Sequence, residues 1–300
     1  MTSPREAFAR TAAGLLDENP RVAVVLAEIS RQYFPDGARR YPDRVVNVGI
    51  REQLLVSVGA GMALAGMRPI VHTFGSFLVE RAFEQVKLDF VHQGVGGVLV
   101  GSGGSFDMAA AGRTHQSPGD VALLDTLGVA IEAPASGAGV EAALRRAVAA
   151  DGVHYLRVTE QVDTVTPAEP GHLTAVRRGS GAVVVVLGPG LDTVLAGTEG
   201  LDVTVLHSTT VRPFDAAGLR AHVGDRADVV LVEPWLAGTS SRVVADALVD
   251  VPHRLLALGV GREELRRYGR PEDHVRAHGL DAAGIRRSVA AFVESRLVVA

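Results

Sequence analysis

Val45-Val46-Asn47-Val48-Gly49-Ile50-Arg51-Glu52-Gln53 is the stretch whose reading decides the fold. Val45 to Val48 is a short β-branched run of the buried-strand type, and after it the period changes. From about Ile50 to Ala65 the pattern is helical, Gly66 ends it, and Pro69 to Val71 restarts a strand. Outward from this strand–helix–strand unit the alternation continues. Val22 to Leu26 is an earlier strand, and Ser76 to His92 reads as a helix with Ser76 as its N-cap. Val98 to Val100 is a strand that opens into a glycine-rich loop, Gly101 to Gly112. A helix near Pro118 to Leu127, a strand near Val129 to Glu132, a helix near Gly139 to Ala150 and a strand at His154 to Val158 follow. Strand–helix alternation of this kind predicts a mostly parallel sheet covered on both faces, with ligands bound by loops at the carboxyl ends of the strands.

The pattern breaks from Asp163 to about Gly181, where Pro167, Pro170 and polar residues predict a linker. A second α/β unit follows, with strands at Ala182 to Leu187, Val203 to Leu206 and Val229 to Val232 and a last helix over roughly Asp281 to Arg296. The expected class is therefore α/β with two domains, residues 1–165 and 181–300, each a mostly parallel sheet flanked by helices, joined by a linker at 166–180.

Composition agrees with that class. The 300 residues are 47% hydrophobic, enough for a sizeable core, and the formal net charge of −4 argues against a nucleic-acid or membrane surface. There is no cysteine, which excludes disulfides, thiolate metal sites and a thiol nucleophile. Met1 to Arg10 holds no apolar signal core, and no stretch reaches the ~18 apolar residues of a spanning helix. A soluble cytoplasmic protein is expected.

Candidate chemistry gathers at the strand ends. Glu52 opens a helix and is followed by Leu54, Leu55 and Val56. Read plainly it is an acid favourable to the helix dipole; at a dry boundary it is a carboxyl able to share a proton near neutrality. Phe74 and Phe77, three apart after a strand, are either core residues or a wall for a flat heteroaromatic ring. His115, in Gly112-Arg113-Thr114-His115-Gln116, is either a satisfied loop residue or a site residue at the close of a flexible loop. Gly188-Pro189-Gly190 lacks the third glycine of a dinucleotide loop and reads as a strand–helix turn. His274 and His278 lack a third metal ligand and read as surface or interface histidines.

Taken in order, these segments resemble a known family. Asn47-Val48-Gly49-Ile50-x-Glu52-Gln53, Ala60-Gly61-Met62-Ala63-Leu64-Ala65-Gly66, Pro69-Ile70-Val71-x-Thr73-Phe74-x-x-Phe77, Gly112-Arg113-Thr114-His115-Gln116, Ala133-Pro134-Ala135 and Tyr155-Leu156-Arg157 resemble the pyrimidine-binding domain of transketolases and deoxyxylulose-phosphate synthases. Val211-Arg212-Pro213-Phe214-Asp215, Tyr268-Gly269 and His278-Gly279-Leu280-Asp281 resemble their C-terminal domain. The resemblance implies a thiamine-diphosphate-binding fold followed by a transketolase C-terminal-like domain. It implies that Glu52 hydrogen-bonds the aminopyrimidine of thiamine diphosphate and favours the imino tautomer, whose nitrogen takes the proton from thiazolium C2. By the same resemblance Phe74 and Phe77 form the stacking wall, and Glu28 stands where the family has Asp beside the cofactor. His115 and Arg113 face the substrate. Arg157 either binds a phosphate or is a strand-end arginine in a salt bridge.

The sequence also departs from the family. No Gly-Asp-Gly motif is present and no metal ligand is identified, so the diphosphate and its Mg²⁺ are expected to be held mainly by a second, N-terminal-type subunit. The active site then lies between chains, in an α2β2 heterotetramer in which this chain also homodimerises. Ala110-Ala111-Gly112 stands where sugar-phosphate enzymes have Glu-Asp-Gly, and Gly103 replaces a histidine. Loss of those polar groups points away from an ordinary pentose phosphate and toward a specialised two-carbon ketol or acyl transfer from a ketose or 2-oxoacid donor. Two rivals share these features: the β subunit of a 2-oxoacid dehydrogenase E1 component, which Val232-Glu233-Pro234-Trp235 favours, and a non-catalytic structural partner.

Overall fold

The computed structural model describes residues 3–165, 170–263 and 265–295. Its strands are β1 Val22–Leu26, β2 Val45–Asn47, β3 Arg68–Phe74, β4 Gly97–Ser102, β5 Ala130–Glu132, β6 Val153–Val158, β7 Thr174–Arg177, β8 Val183–Leu187, β9 Thr204–Ser208, β10 Thr210–Arg212, β11 Ala227–Leu236 and β12 His253–Val260. They form two sheets, a seven-stranded one ordered β10-β5-β6-β4-β3-β1-β2 and a five-stranded one ordered β12-β11-β8-β9-β7. Every pairing is parallel except those of the edge strands β10 and β7. The expected two-sheet α/β architecture is what the chain adopts.

The helices are α1 Pro4–Glu18, α2 Pro35–Arg40, α3 Glu52–Leu64, α4 Phe83–Gln85, α5 Asp120–Asp125, α6 Gly137–Ala149, α7 Leu191–Gly197, α8 Ala216–Arg220, α9 Ser241–Ala247, α10 Pro271–Ala277 and α11 Ala282–Glu294. In the first sheet, α1 and α6 bury Phe8, Leu15, Leu16, Val140 and Leu144 against Val24, Ile70, Val98 and Val100. On its other face α3 buries Leu55, Val56 and Ala60 against Val25, Val71 and Leu99. In the second sheet, α7 and α11 cover Val184, Val186, Val205 and Val230. The apolar cluster on the α3 face runs on through Ile131 and Val211 to Val185, Leu231 and Trp235, so the two sheets share one continuous core. Among the described residues no helix is long and apolar enough to cross a membrane.

Several elements differ from what the residues alone predict. Ser76 to His92 is two π-helical stretches, Ser76–Arg81 and Val86–His92, on either side of α4. The N-cap position belongs to Gly75, and the Ser76 side chain is buried. The stretch expected to be linker contains β7, which pairs antiparallel with β9 through half-buried residues on an open edge. Its four residues carry too short an alternation to register as a strand. Thr210–Arg212, from the second half of the chain, crosses back to complete the edge of the first sheet at β5. The expected end of the last helix at Arg296 and the linker residues 166–169 lie outside the described residues.

Two packing details position the first sheet's loops. A Cβ on Gly59 of α3 would come within 2.5 Å of Val71 Cγ2 and 3.3 Å of the Phe90 ring, so helix and sheet meet at a distance that glycine permits. On the opposite face of β3, His72 is fully buried beside the Phe8 ring, 4.4 Å between centroids. Its Nδ1 lies 3.0 Å from the Val100 carbonyl and its Nε2 2.9 Å from Ser30 Oγ. The carbonyl can only accept, so Nδ1 carries the proton and Nε2 accepts from the Ser30 hydroxyl. Burial pushes the His72 pKa down to about 3.

Gly59→Val should force α3 off β3 and destabilise the chain by about 1–3 kcal/mol, read from the urea midpoint. For His72 the folded pKa lies below the unfolded one, so the unfolded chain binds the extra proton and stability falls as pH drops from about 6.5 toward about 3. His72→Gln should flatten that part of the stability–pH curve. An unchanged slope would mean that this imidazole is not held neutral.

Candidate active site at the switch point of the first sheet

Strand order places a crevice before any side chain is considered. From β1 the chain goes to β2 on one side and later to β3 on the other, so the loops leaving β1 and β3 diverge. Such divergence at the carboxyl ends of parallel strands is where doubly wound sheets bind ligands. The Asn47 to Gln53 segment is built around that point. Asn47 Oδ1 accepts from the Glu28 amide at 3.0 Å and from the Gly49 amide at 3.1 Å, while Asn47 Nδ2 donates to Glu28 Oε2 at 2.8 Å. One side chain thus ties the end of β1 to the β2–α3 turn. Gly49 turns the chain at φ +72°, a left-handed conformation that favours glycine, and α3 begins at Glu52.

Glu52 is 1% exposed. Its Oε2 accepts from Arg81 Nη1 at 2.5 Å, and Thr73 Oγ1 stands 3.5 Å from Oε1. The positive end of the α3 dipole and the guanidinium both favour negative charge there. The Arg81 guanidinium also lies over the Phe77 ring, 4.0 Å from its centroid. Phe74, Phe77 and His115 form an edge-to-face trio with centroid separations of 6.0 Å for the phenylalanines, 5.6 Å for Phe74–His115 and 4.9 Å for Phe77–His115. His115 Nδ1 is 2.9 Å from Thr114 Oγ1. Ser76 Oγ and Ser102 Oγ, beside Phe77 in sequence and opposite Phe74 in the sheet, are buried with no hydrogen-bond partner among the described residues. Buried hydroxyls left open in this way are uncommon away from ligand sites and internal water.

The fold therefore brings Phe74, Phe77 and His115 into mutual contact and sets Glu52 beside them through Arg81, which pairs with Glu52 and lies over the Phe77 ring. The other sequence candidates make different contacts. Glu28, at φ +70°, is ion-paired with Arg31 at 3.0 Å, and its carboxyl is held below the usual range by Asn47 and then Arg31. It lines a cleft of about 620 Å³ with Leu26, Phe34 and Val45. Arg113 Nη1 donates to the Gln116 carbonyl at 2.9 Å and so braces its own loop. Arg157 is no surface arginine: it is 1% exposed, with Nε 2.8 Å from Asp120 Oδ2 and Nη2 2.7 Å from Ser105 Oγ. Tyr155 donates to the same Asp120 oxygen at 2.9 Å. This buried network underlies the glycine-rich loop, and a side chain on Gly104 would collide with Arg157 at 2.5 Å.

Gly103, where the resembling family has histidine, borders the aromatic trio: its Cβ would lie 3.6 Å from Phe74 Cδ1. The loop then makes short turns at Ala109–Ala111 and Arg113–His115, and the Tyr268 ring packs over Gly112. Gln116 is buried, its Nε2 3.4 Å from the Arg267 carbonyl. Sequence reasoning missed Arg81 and Thr73. A lone arginine in an apolar run five residues after Ser76 was the available signal, but which carboxylate it meets depends on packing. Of the two histidines expected at the surface or an interface, His274 is buried and stacked on Phe106, from the first half of the chain, with centroids 4.5 Å apart, and His278 stacks on the same ring at 5.3 Å.

Residues 1–163 match the transketolase pyrimidine-binding domain family. The chain is 46% identical over 292 residues to an uncharacterized 33.6 kDa protein in the fasciation locus of Rhodococcoides fascians, covering 96% of this chain and 94% of that one. It is 28% identical over 280 residues to one of the subunits of the apulose-4-phosphate transketolase of Actinobacillus succinogenes, covering 88% and 89% of the two chains. A solved split-gene transketolase, an inactive β4 tetramer, superimposes with a TM-score of 0.82 at 25% identity, covering 98% of this chain and 99% of that one. The chain spans about half, 48%, of the 1-deoxy-D-xylulose-5-phosphate synthases it also matches. By these likenesses along its length, the chain belongs to the transketolase pyrimidine-binding domain family and is of the C-terminal type of split transketolase subunit.

Proposed function

We propose that this chain is the pyrimidine-activating subunit of a thiamine-diphosphate-dependent transketolase-like enzyme, with residues 1–165 holding the pyrimidine end and residues 181–300 forming the C-terminal domain. The observation that carries the reading is a buried carboxylate, Glu52, beside an aromatic trio at the switch point of a doubly wound sheet. When bound, the cofactor would supply a carbon acid whose deprotonated form adds to a donor carbonyl and carries a two-carbon unit to an acceptor.

The residues present suit the flat, polar end of that group. Phe74 and Phe77 offer ring faces and edges, Glu52 offers a carboxylate to a ring nitrogen, and the open Ser76 and Ser102 hydroxyls are buried alongside. In the chain by itself Arg81 already makes the two contacts a ring would make, an ion pair with Glu52 and a stack on Phe77. Arg81 must swing toward solvent before a ring can reach the carboxylate, and its own 39% side-chain exposure allows this. Once it leaves, the carboxylate is free to hold or exchange one proton in a dry site. His115 faces the same space from the loop and is placed to contact substrate. Arg113 braces the His115 loop, Glu28 reaches the cofactor from its own cleft at the end of β1, and Arg157 acts on substrate phosphate only indirectly, by fixing the glycine-rich loop through Ser105.

The diphosphate and Mg²⁺ are not matched in the same way. No group of three or more His, Asp or Glu side chains converges as a metal site among the described residues. We assign both to a companion chain carrying the Gly-Asp-Gly motif, in an α2β2 assembly. Ile50, Leu54, Leu64 and Leu88 support an interface with another chain here, because all four are exposed apolar residues on or beside α3. The inactive β4 tetramer of the related split transketolase agrees with a chain that needs a partner. The apolar Gly103, Ala110 and Ala111 support a donor other than an ordinary pentose phosphate.

In the complex assembled with the companion chain, Glu52→Gln should slow exchange of the cofactor C2 proton by about 10²–10⁴-fold while cofactor binding persists. Equal rates would reduce the chain to a structural partner. In a donor panel, ketose turnover is expected; pyruvate decarboxylation alone would move the assignment to the 2-oxoacid dehydrogenase type.

A further inference from the structure

The second sheet has a switch point of its own. From β8 the chain goes to β9 on one side and later to β11 and β12 on the other, so the loops leaving β8 and β11 diverge. Between them lies a cavity of about 330 Å³, within the ~300–1,000 Å³ of small-molecule sites. Pro189, Gly190 and Pro234 line it from the strand ends, the loop Gly104–Asp107 closes it from the first domain, and α10 covers it through Pro271 and Val275. Phe106, Val232, Val260, Leu280 and Ile285 make its walls apolar.

Its electrostatics are one-sided. Arg157 lines the cavity, but its guanidinium is already bound to Asp120 and Ser105. The amides of Gly190, Leu191 and Asp192 at the start of α7, where such a crevice often holds an anion, are occupied by Asp163 at 2.9, 3.1 and 3.3 Å. Against these neutralised positive groups stand four lining carboxylates, Asp107, Glu160, Glu233 and Glu272. Glu233 is engaged by Trp235 Nε1 at 2.8 Å and by the Ser240 amide at 3.2 Å. Asp107 accepts from the Glu160 amide at 2.9 Å, while Glu160 and Glu272 are exposed. An anionic sugar phosphate would meet these like charges, whereas an apolar body bearing a positive head would suit both walls and rim.

We propose that this crevice between the two domains is a second binding site, for a small organic cation: an amine carried on an apolar body. The state of Asp107 is consistent, since burial pushes its pKa up to about 6 and a neighbouring cation would relieve that cost. The site is separate from the Glu52 crevice and does not depend on the thiamine diphosphate reading.

Titration of this 300-residue chain at pH 7.5 with 2-phenylethylamine, phenylacetate and 2-phenylethanol tests it, read by calorimetry and by the fluorescence of Trp235, the single tryptophan. The amine should bind saturably, at about 1 mM or tighter, and at least about tenfold more tightly than the carboxylate of the same shape. Val275→Trp should fill the cavity and abolish binding. Glu160→Gln with Glu272→Gln, both exposed positions that should leave folding intact, should cost the amine several-fold and the alcohol nothing. Phenylacetate binding as well as the amine overturns the proposal, and so does the lack of any saturable signal. Amine binding that survives Val275→Trp but is lost in Glu52→Gln puts the ligand in the other crevice and equally overturns it.

Discussion

A carboxylate removed from water is the constraint around which the first domain is arranged. Glu52 is 1% exposed, and burying an ion costs several kcal/mol unless another charge or set of donors answers it. The answer in this chain is Arg81, reinforced by the amino end of α3 and the Thr73 hydroxyl. The rest of the local structure serves to hold that acid in place. Asn47 ties β1 to the turn, Gly49 supplies its left-handed bend, and Gly59 lets α3 lie close enough on β3 to bring Glu52 and Thr73 together. Removing the partner leaves a buried carboxylate without its guanidinium, so a second positive or hydrogen-bonding group must take that place.

The same winding rule produces two crevices, and side chains make them unlike. In the first sheet the diverging loops carry Phe74, Phe77 and His115 around a single ion pair. In the second they carry aliphatic walls and carboxylates, with Arg157 and the amides at the start of α7 already engaged by Asp120 and Asp163. The shared apolar core from Leu55 to Trp235 and the crossing strand β10 fix the two sheets against one another, so both crevices are bounded by a rigid frame.

Legibility followed the range of the forces involved. The parallel strands, α3 and the sheet class were readable because burial on both faces leaves an unbroken β-branched signal such as Val183 to Leu187. Glu52, Phe74 and Phe77 were readable as candidates because each lies where a strand ends or a helix begins, and His115 because it closes a glycine-rich loop. α1 went unread although Ser3 and Glu6 form a capping box around Pro4, a purely local signal. β7 and β10 were not legible, because edge strands of three or four residues acquire their identity from the partner they pair with. The break of Ser76 to His92 into π-helical turns was not legible either, since no proline or glycine marks it.

The sequence by itself determined the class of fold, most of its parallel strands and the helices between them, and the family, and it named candidate residues for chemistry, because these depend on periodicity, turn residues and short motifs. Only the tertiary structure decided which of those residues meet. It joined Glu52 to Arg81 across 29 positions, sent Arg157 inward to Asp120 and gave Glu28 a cleft of its own. The reason is that ion pairing, ring stacking and burial act through space between segments far apart in the chain, and no local pattern records that distance.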